Sequence, residues 1–271
     1  MFTLNCDRAY LFAHPERELT ADEQTRYESA LAERARGVPA QYITGHQEFW
    51  GLDLIVTPAV LIPRPETEHI IETVLELQSP DLGPQTSAEA SPSLSEVGGP
   101  KPEFRILDVG TGSGCIALAL AKEFPHADIH ASDVSVAALE IARANAARHQ
   151  LESRIQFHEA DLLEGLNLGG LDVIVSNPPY VGESEEDQVQ LEVRKFEPRR
   201  AVFAGASGTE IIARLIPQAL AALRPGGWLI MEISGSVADE TKQLLSGWEG
   251  VHVSLDLQAI PRVVRARKPR Q

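Results

Sequence analysis

The sequence predicts an α/β fold, a doubly wound sheet preceded by a small helical N-terminal domain, and three observations carry that expectation. Beyond residue 103, strand-like apolar runs at 104–109, 128–132, 155–158 and 173–175 alternate with helical patterns at 116–124 and 137–149. A turn containing Gly110, Gly112 and Gly114 joins the first strand to the first helix, as in a βαβ unit. Residues 1 to about 40 carry no strand pattern and are helical in spacing.

Taken in order, Thr20 and Glu23 form a capping box that starts a helix, in which Tyr27, Leu31 and Ala35 recur before Gly37 and Pro39 stop it. Residues 49–62 are β-branched and aromatic around Gly51 and Pro58, which predicts a hairpin or two short strands. Pro63 to Glu68 make a rigid turn into a helix over 70–77. Residues 79–102 are rich in Ser, Pro and Gly, so they read as a linker that cannot offset the entropy of ordering. A helix over 208–223, a turn at 225–227, a strand over 228–233, a helix over 237–245 and strands over 251–257 and 263–266 complete the chain. The organisation is therefore 1–45 helical, 46–78 hairpin and connecting helix, 79–102 linker, and 103–271 the main domain.

The 271 residues are 43% hydrophobic and 23% charged, enough for a sizeable core. Twenty-four Lys and Arg against 39 acids give a net charge of −15, which argues against a protein living on phosphate contacts. Two cysteines, Cys6 and Cys115, support neither a disulfide framework nor a zinc site. Cys115 reads as a packing residue, His126, His130, His149 and His158 as surface or strand-end residues, and Trp50 and Trp228 as core. The first residues lack a signal peptide's apolar run, and no stretch reaches the roughly 18 apolar residues of a membrane span.

A glycine-rich turn at a helix N-terminus lets a ligand approach backbone amides closely. Glycines at alternate positions, Gly110, Gly112 and Gly114, depart from the dinucleotide fingerprint and weaken a nicotinamide reading. Asp133 follows Gly110 by 23 positions, at the end of the second strand, where an acid can accept both ribose hydroxyls. Asp161 and Leu162, after the third strand, can flank an adenine ring. Either acid alone would serve equally well as a helix cap. On three successive strand ends they point to a nucleoside-containing cofactor.

After the next strand comes Asn177-Pro178-Pro179-Tyr180. The prolines stiffen the backbone and remove two donors, so that the Asn177 side-chain oxygen and the Pro178 carbonyl can accept both N–H hydrogens of a planar amine or amide. Tyr180 can stack on that plane.

These residues, with Gln41 to Gly45, Glu48 to Gly51, Leu61 to Glu68, Asp108 to Gly114, Glu197-Pro198, Pro225 to Gly227 and Pro261 to Val264, resemble the class I S-adenosylmethionine-dependent methyltransferases. More narrowly, they resemble the HemK-type peptide chain release factor glutamine methyltransferases. The resemblance implies a Rossmann-like class I methyltransferase sheet, with 1–45 as a substrate-recognition domain shortened at its start. It implies S-adenosyl-L-methionine held by Asp108, Gly110, Thr111, Gly112, Ser113, Gly114, Asp133, Asp161, Leu162 and Asn177. Asn177, Pro178 and Tyr180 are the implied catalytic residues, with Pro179, Arg64, Glu66 and Glu197 completing the substrate side; no metal is expected. Transfer is to the glutamine amide nitrogen in the Gly-Gly-Gln loop of release factors, by a cytoplasmic monomer without a nucleic-acid substrate or membrane. The tetrapeptide is shared with adenine-N6 and guanine-N2 methyltransferases, so a nucleic-acid base methyltransferase is the alternative. A third reading, a cofactor-binding adaptor without activity, is disfavoured by the intact tetrapeptide. One residue, Ser234, is added after Glu232-Ile233 relative to the family's Glu-Ile-Gly.

Overall fold

The computed structural model of the chain describes residues 2–77 and 104–270, and the expected linker at 79–102 lies outside them. At the N-terminus, Asp7 caps helix α1 (Arg8–Ala13) by accepting the Tyr10 amide at 2.7 Å. Helix α2 (Ala21–Ala35) begins with the expected capping box: Thr20 Oγ1 accepts the Glu23 amide and Glu23 Oε2 accepts the Thr20 amide. Its Tyr27 and Leu31 remain 46% and 49% exposed, so the apolar spacing marks a helix without marking a buried face. Helix α3 (Ala40–Thr44) ends at Gly45 in the left-handed conformation.

Strands β1 (His46–Phe49) and β2 (Leu52–Ile55) form an antiparallel hairpin. Its two turn residues, Trp50 and Gly51, both have positive φ, as a turn matching the strand twist requires. The hairpin thus starts three residues before the expected segment and ends before Pro58. Phe49, Leu52 and Leu54 face inward, and the amide of buried Asn145 fastens β2 to the domain. Asn145 Oδ1 accepts the Ile55 amide at 2.7 Å, while its Nδ2 donates to the Ile55 and Ser113 carbonyls. A turn at Pro65–Thr67 then leads into α4 (Glu68–Glu76), which buries Ile70, Ile71 and Val74.

The main sheet uses β3 (Arg105–Val109), β4 (Asp128–Asp133), β5 (Ile155–Glu159) and β6 (Leu171–Ser176). Short strands β7 (Val181–Gly182) and β8 (Phe203–Gly205) pair separately, and β9 (Leu223–Glu232), β10 (Glu249–Leu255) and β11 (Pro261–Arg267) complete the sheet. The order is β10-β11-β9-β6-β3-β4-β5, with β11 antiparallel to both of its neighbours and the rest parallel. Alternation along each strand splits the core: Ile106, Val173 and Ile230 pack on one face with α4 and α5 (Cys115–Glu123). Leu107, Ile174 and Leu229 pack on the other with α9 (Glu210–Ala222) and α10 (Ala238–Leu244). Helix α6 (Val136–Arg148) joins β4 to β5, and α7 (Leu191–Phe196) and α8 (Arg199–Val202) lie between β7 and β8.

From β3 the chain winds outward through β4 to β5, then returns to β6 on the other side of β3. That reversal opens a crevice at the carboxyl ends of β3 and β6.

Three sequence expectations need correction. The Pro225 to Gly227 turn lies inside β9 as a bulge, because Leu171 pairs with Leu223 and Val173 with Trp228. A Cβ on Gly227 would sit 3.0 Å from the Leu171 carbonyl oxygen, so the bulge needs glycine there. His130 is buried within β4, its Nδ1 2.9 Å from His158 Nε2, instead of lying at the surface. Trp50 and Trp228 are only half-buried: Trp50 Nε1 donates to Glu123, and Arg267 covers the Trp228 ring. No described helix is long and apolar enough to cross a membrane.

Replacing Asn145 with alanine leaves the partly buried Ile55 amide and carbonyl and the buried Ser113 carbonyl without their side-chain partner. Chemical denaturation of Asn145→Ala should therefore show a loss of roughly 3 kcal/mol, each orphaned group costing about 1–3 kcal/mol before relaxation.

Candidate active site

The loop after β3 is held from both sides. Its Gly110 and Thr111 amides donate to the Ser132 carbonyl at the end of β4, at 2.8 and 2.9 Å. Beneath it, the fully buried Asp108 Oδ2 accepts from the Thr111 hydroxyl at 2.6 Å and the Ala117 amide at 3.2 Å. Gly110, Gly112 and Gly114 all have positive φ. They differ in purpose. A Cβ on Gly114 would lie 2.6 Å from Leu118 and 3.2 Å from Ala142, so that glycine lets α5 and α6 approach. Cβ atoms on Gly110 and Gly112 would meet nothing within 4 Å, because both face open space.

That space is a cavity of about 700 Å³, bordered by Gly110 to Ser113, Asp133, Asp161 and Leu162. The three strand-end features expected from sequence are therefore on one wall. Asp133 accepts the Gly112 amide at 2.9 Å and the Ser135 amide at 2.8 Å, one on each oxygen, which leaves each a further lone pair for a hydroxyl. Burial pushes its pKa up, and the two amides pull it back. Asp161 lines the cavity while pairing with Arg214 at 2.7 Å. Leu162 has φ +58, which turns the chain beneath the cavity. Asp108 lines no part of it and acts on the loop from behind.

A second cavity, of about 600 Å³, lies across Asn177 to Tyr180. It shares Leu61, Arg64, Asn177, Pro179 and Ala201 with the first, so the two meet at the tetrapeptide. Glu66 and Pro178 border the second cavity only. Glu197 borders neither: it forms an ion pair with Arg64 and accepts the Ile62 amide at 3.1 Å, setting the 62–68 segment against the site. Tyr180 donates to Glu232 Oε1 at 3.0 Å, and Asn177 Nδ2 donates to Thr67 Oγ1 at 3.0 Å.

Thr67 and Glu232 were not singled out for the site from sequence. Thr67 lies within the segment that carries the family resemblance, and Glu232 ends β9, the next strand along. The strand-end rule applied once more would have found it. Cys115 is buried, as expected of a packing residue, and burial pushes its thiol up to about 12.

Asp108 generates a prediction about pH. Burial raises its carboxyl to about 7, against the bonds from Thr111 and Ala117, and its Oδ1 has no partner among the described residues. An acid with a raised folded pKa binds its proton more tightly when folded, so its contribution is complete below about pH 4 and is lost as pH rises toward 7. In denaturation measured from pH 4 to 8, Asp108→Asn should remove that part of the slope.

A family model described as the PrmC N-terminal domain matches residues 1–45, and one described as the methyltransferase small domain matches residues 93–195. A release factor glutamine methyltransferase of Koribacter versatilis is 55% identical over 99% of this chain and 89% of its own length. One from Xylella fastidiosa is 40% identical over 99% and 90%. Among solved structures, the hMettl16 catalytic domain aligns with a TM-score of 0.58 at 17% identity, covering 98% of this chain and 94% of that one. A Thermus thermophilus 16S rRNA methyltransferase bound to AdoMet and guanosine gives 0.56 at 19% identity, over 82% and 49%. These structural likenesses establish the fold. A cavity built on a glycine loop, a second cavity meeting it at Asn-Pro-Pro-Tyr, and 55% identity along nearly the whole chain place it together: the protein belongs to the release factor glutamine methyltransferases, S-adenosylmethionine-dependent enzymes.

Proposed function

We propose that the two cavities divide the reaction between them, the larger holding S-adenosylmethionine and the smaller admitting the glutamine side chain of a release factor's Gly-Gly-Gln loop. The observation that carries this is the shared wall, because among the described residues Leu61, Arg64, Asn177, Pro179 and Ala201 border both spaces. A fit to the cofactor is supported by the open cradle over Gly110 and Gly112 and by the free lone pairs of Asp133. Asp133 would take the ribose hydroxyls, with Asp161 and Leu162 beside the adenine.

When bound, the cofactor supplies a methyl group made electrophilic by its sulfonium. An amide nitrogen is a poor nucleophile, since its lone pair is delocalised into the carbonyl. Orientation is therefore the protein's main contribution, and proximity of this kind is worth up to about 7–11 kcal/mol in ideal cases. Asn177 Oδ1 and the Pro178 carbonyl accept the two N–H hydrogens and aim the nitrogen at the larger cavity. Because both are acceptors, they also stabilise the positive charge that develops on nitrogen as its bond to the methyl forms and the sulfonium–methyl bond breaks, a charge lost when one of the two N–H protons passes to water. Pro178 and Pro179 have no N–H to compete, and the Tyr180 ring, tethered to Glu232, gives the amide plane a face to stack on. Arg64 and Glu66 meet the loop around the glutamine, with Glu197 holding Arg64 in place.

Residues 1–45, which expose Phe12 and Tyr27, would grip the body of the release factor. We read the enzyme as a monomer acting in the cytoplasm, where translation factors work.

Asn177→Ala should lower labelled methyl transfer to a release factor by roughly 10²-fold or more, with a much smaller change in cofactor affinity. A release factor carrying glutamate in place of the acceptor glutamine should take no label, since a carboxylate would face two oxygens. Asp133→Ala should weaken cofactor binding by roughly 1.5–3 kcal/mol in calorimetry. Label on adenine or guanine of RNA or DNA, with none on the release factor, would overturn the reading in favour of a base methyltransferase.

A further inference from the structure

Along the shared wall runs a buried chain of polar groups, Thr67 bordering the larger cavity and Glu232 the smaller. Glu232 is 2% exposed and Thr67 1%. Each Glu232 oxygen meets a hydroxyl: Thr67 Oγ1 donates to Oε2 at 2.6 Å, and Tyr180 donates to Oε1 at 3.0 Å. Thr67 Oγ1 also receives the Asn177 amide at 3.0 Å. These groups come from three separate strand or helix ends, so the contact is made by the fold and not by local chain geometry.

The direction of the hydrogen bonds follows from which groups can donate. Both hydroxyls donate to Glu232, whose two oxygens accept one proton each. Thr67 has a single proton, and once it is given its oxygen faces Asn177 with lone pairs alone. Only the NH₂ end of the carboxamide satisfies them. The Asn177 oxygen is thereby turned to the opposite side, away from Thr67. A carboxamide left to itself is nearly symmetric in shape, and half a turn exchanges oxygen and nitrogen at little steric cost. The reversed amide would present N–H groups to the N–H groups of the substrate.

Building on the assignment of Asn177 as the acceptor of the glutamine N–H, we propose that Glu232, acting through Thr67, is the positioning pair that fixes which end of the Asn177 carboxamide faces the substrate. The same carboxylate holds Tyr180, so both polar side chains of the tetrapeptide are set from one buried point. This pair decides turnover and also the preference for an amide over a carboxylate. A scrambled Asn177 offers a donor part of the time, which a glutamate side chain can use.

The test compares Thr67→Val, Thr67→Ala and Thr67→Ser in the full-length protein. It measures kcat and KM for release-factor methylation, cofactor affinity, and relative binding of release factors carrying glutamine or glutamate at the acceptor position. T67V and T67A remove the same hydroxyl with and without keeping the side-chain volume, so either can be read if the other does not fold. Both should lose kcat by about 10–100-fold, the scale on which misplacement of a reacting group acts, while cofactor affinity, Thr67 touching only the edge of the larger cavity, falls much less. Their preference for glutamine over glutamate should narrow by a similar factor, and T67S should restore most of both. Wild-type kcat and an unchanged preference in T67V or T67A would overturn the proposal. So would a loss that weakens both release factors equally and is not rescued by T67S, the mark of a structural role only. Absence of labelling by the wild-type protein would instead defeat the functional reading on which this rests.

Discussion

The parallel pairing of β3 with β6, which sets Val109 opposite Ser176, places the glycine loop and the Asn-Pro-Pro-Tyr segment side by side. Neighbouring strands lie about 4.8 Å apart, so two chain segments nearly seventy positions distant in sequence become adjacent walls of one crevice. Ser176 reinforces this by donating its hydroxyl to the Val109 carbonyl at 2.7 Å. Were β6 one position further along the sheet, the two cavities would not touch. Everything the site does follows from that adjacency, because transfer between two bound molecules needs their reacting ends in contact and little else from the protein.

Buried acids brace the crevice. Asp108 braces the loop from below, Glu197 holds Arg64 and the Ile62 amide, and Glu232 gathers two hydroxyls. Each is buried, and each is provided with hydrogen-bond donors that offset the cost of leaving water. Burial still raises the Asp108 and Glu232 carboxyls above their ordinary range. The hairpin contributes to the same bracing through Asn145, which ties β2 to α6 and to the Ser113 carbonyl of the glycine loop. The loop is thus supported from β4, from Asp108 and from the hairpin.

Local patterns were readable wherever the chemistry is local. The capping box at Thr20 and Glu23 formed as its spacing requires, and the alternation of strands and helices from residue 104 onward maps onto β3 to β6. Patterns that depend on what lies opposite were less legible. The apolar spacing of Tyr27 and Leu31 gives a helix whose face stays exposed. The Pro-Gly-Gly segment reads as a turn, yet partner strand β6 draws it into β9 as a bulge. His130 looks like any strand histidine until His158, from the adjacent strand, is brought against it.

The candidate site divides in the same way. Sequence by itself determined the glycine loop, Asp133 and the tetrapeptide as candidates, because each is a short run whose residue types suit backbone approach, hydroxyl acceptance or a donor-free turn within a few positions. Tertiary structure alone decided which of the remaining residues touch the cavities, which stand behind them, and how Asn177 is turned. Thr67 and Glu232 illustrate the reason. They are separated by 165 positions, and the hydrogen bond that joins them exists only because α4 packs against β9 and brings its leading turn to that strand's end. A hydroxyl's proton has one direction to go, and only the folded neighbours specify it.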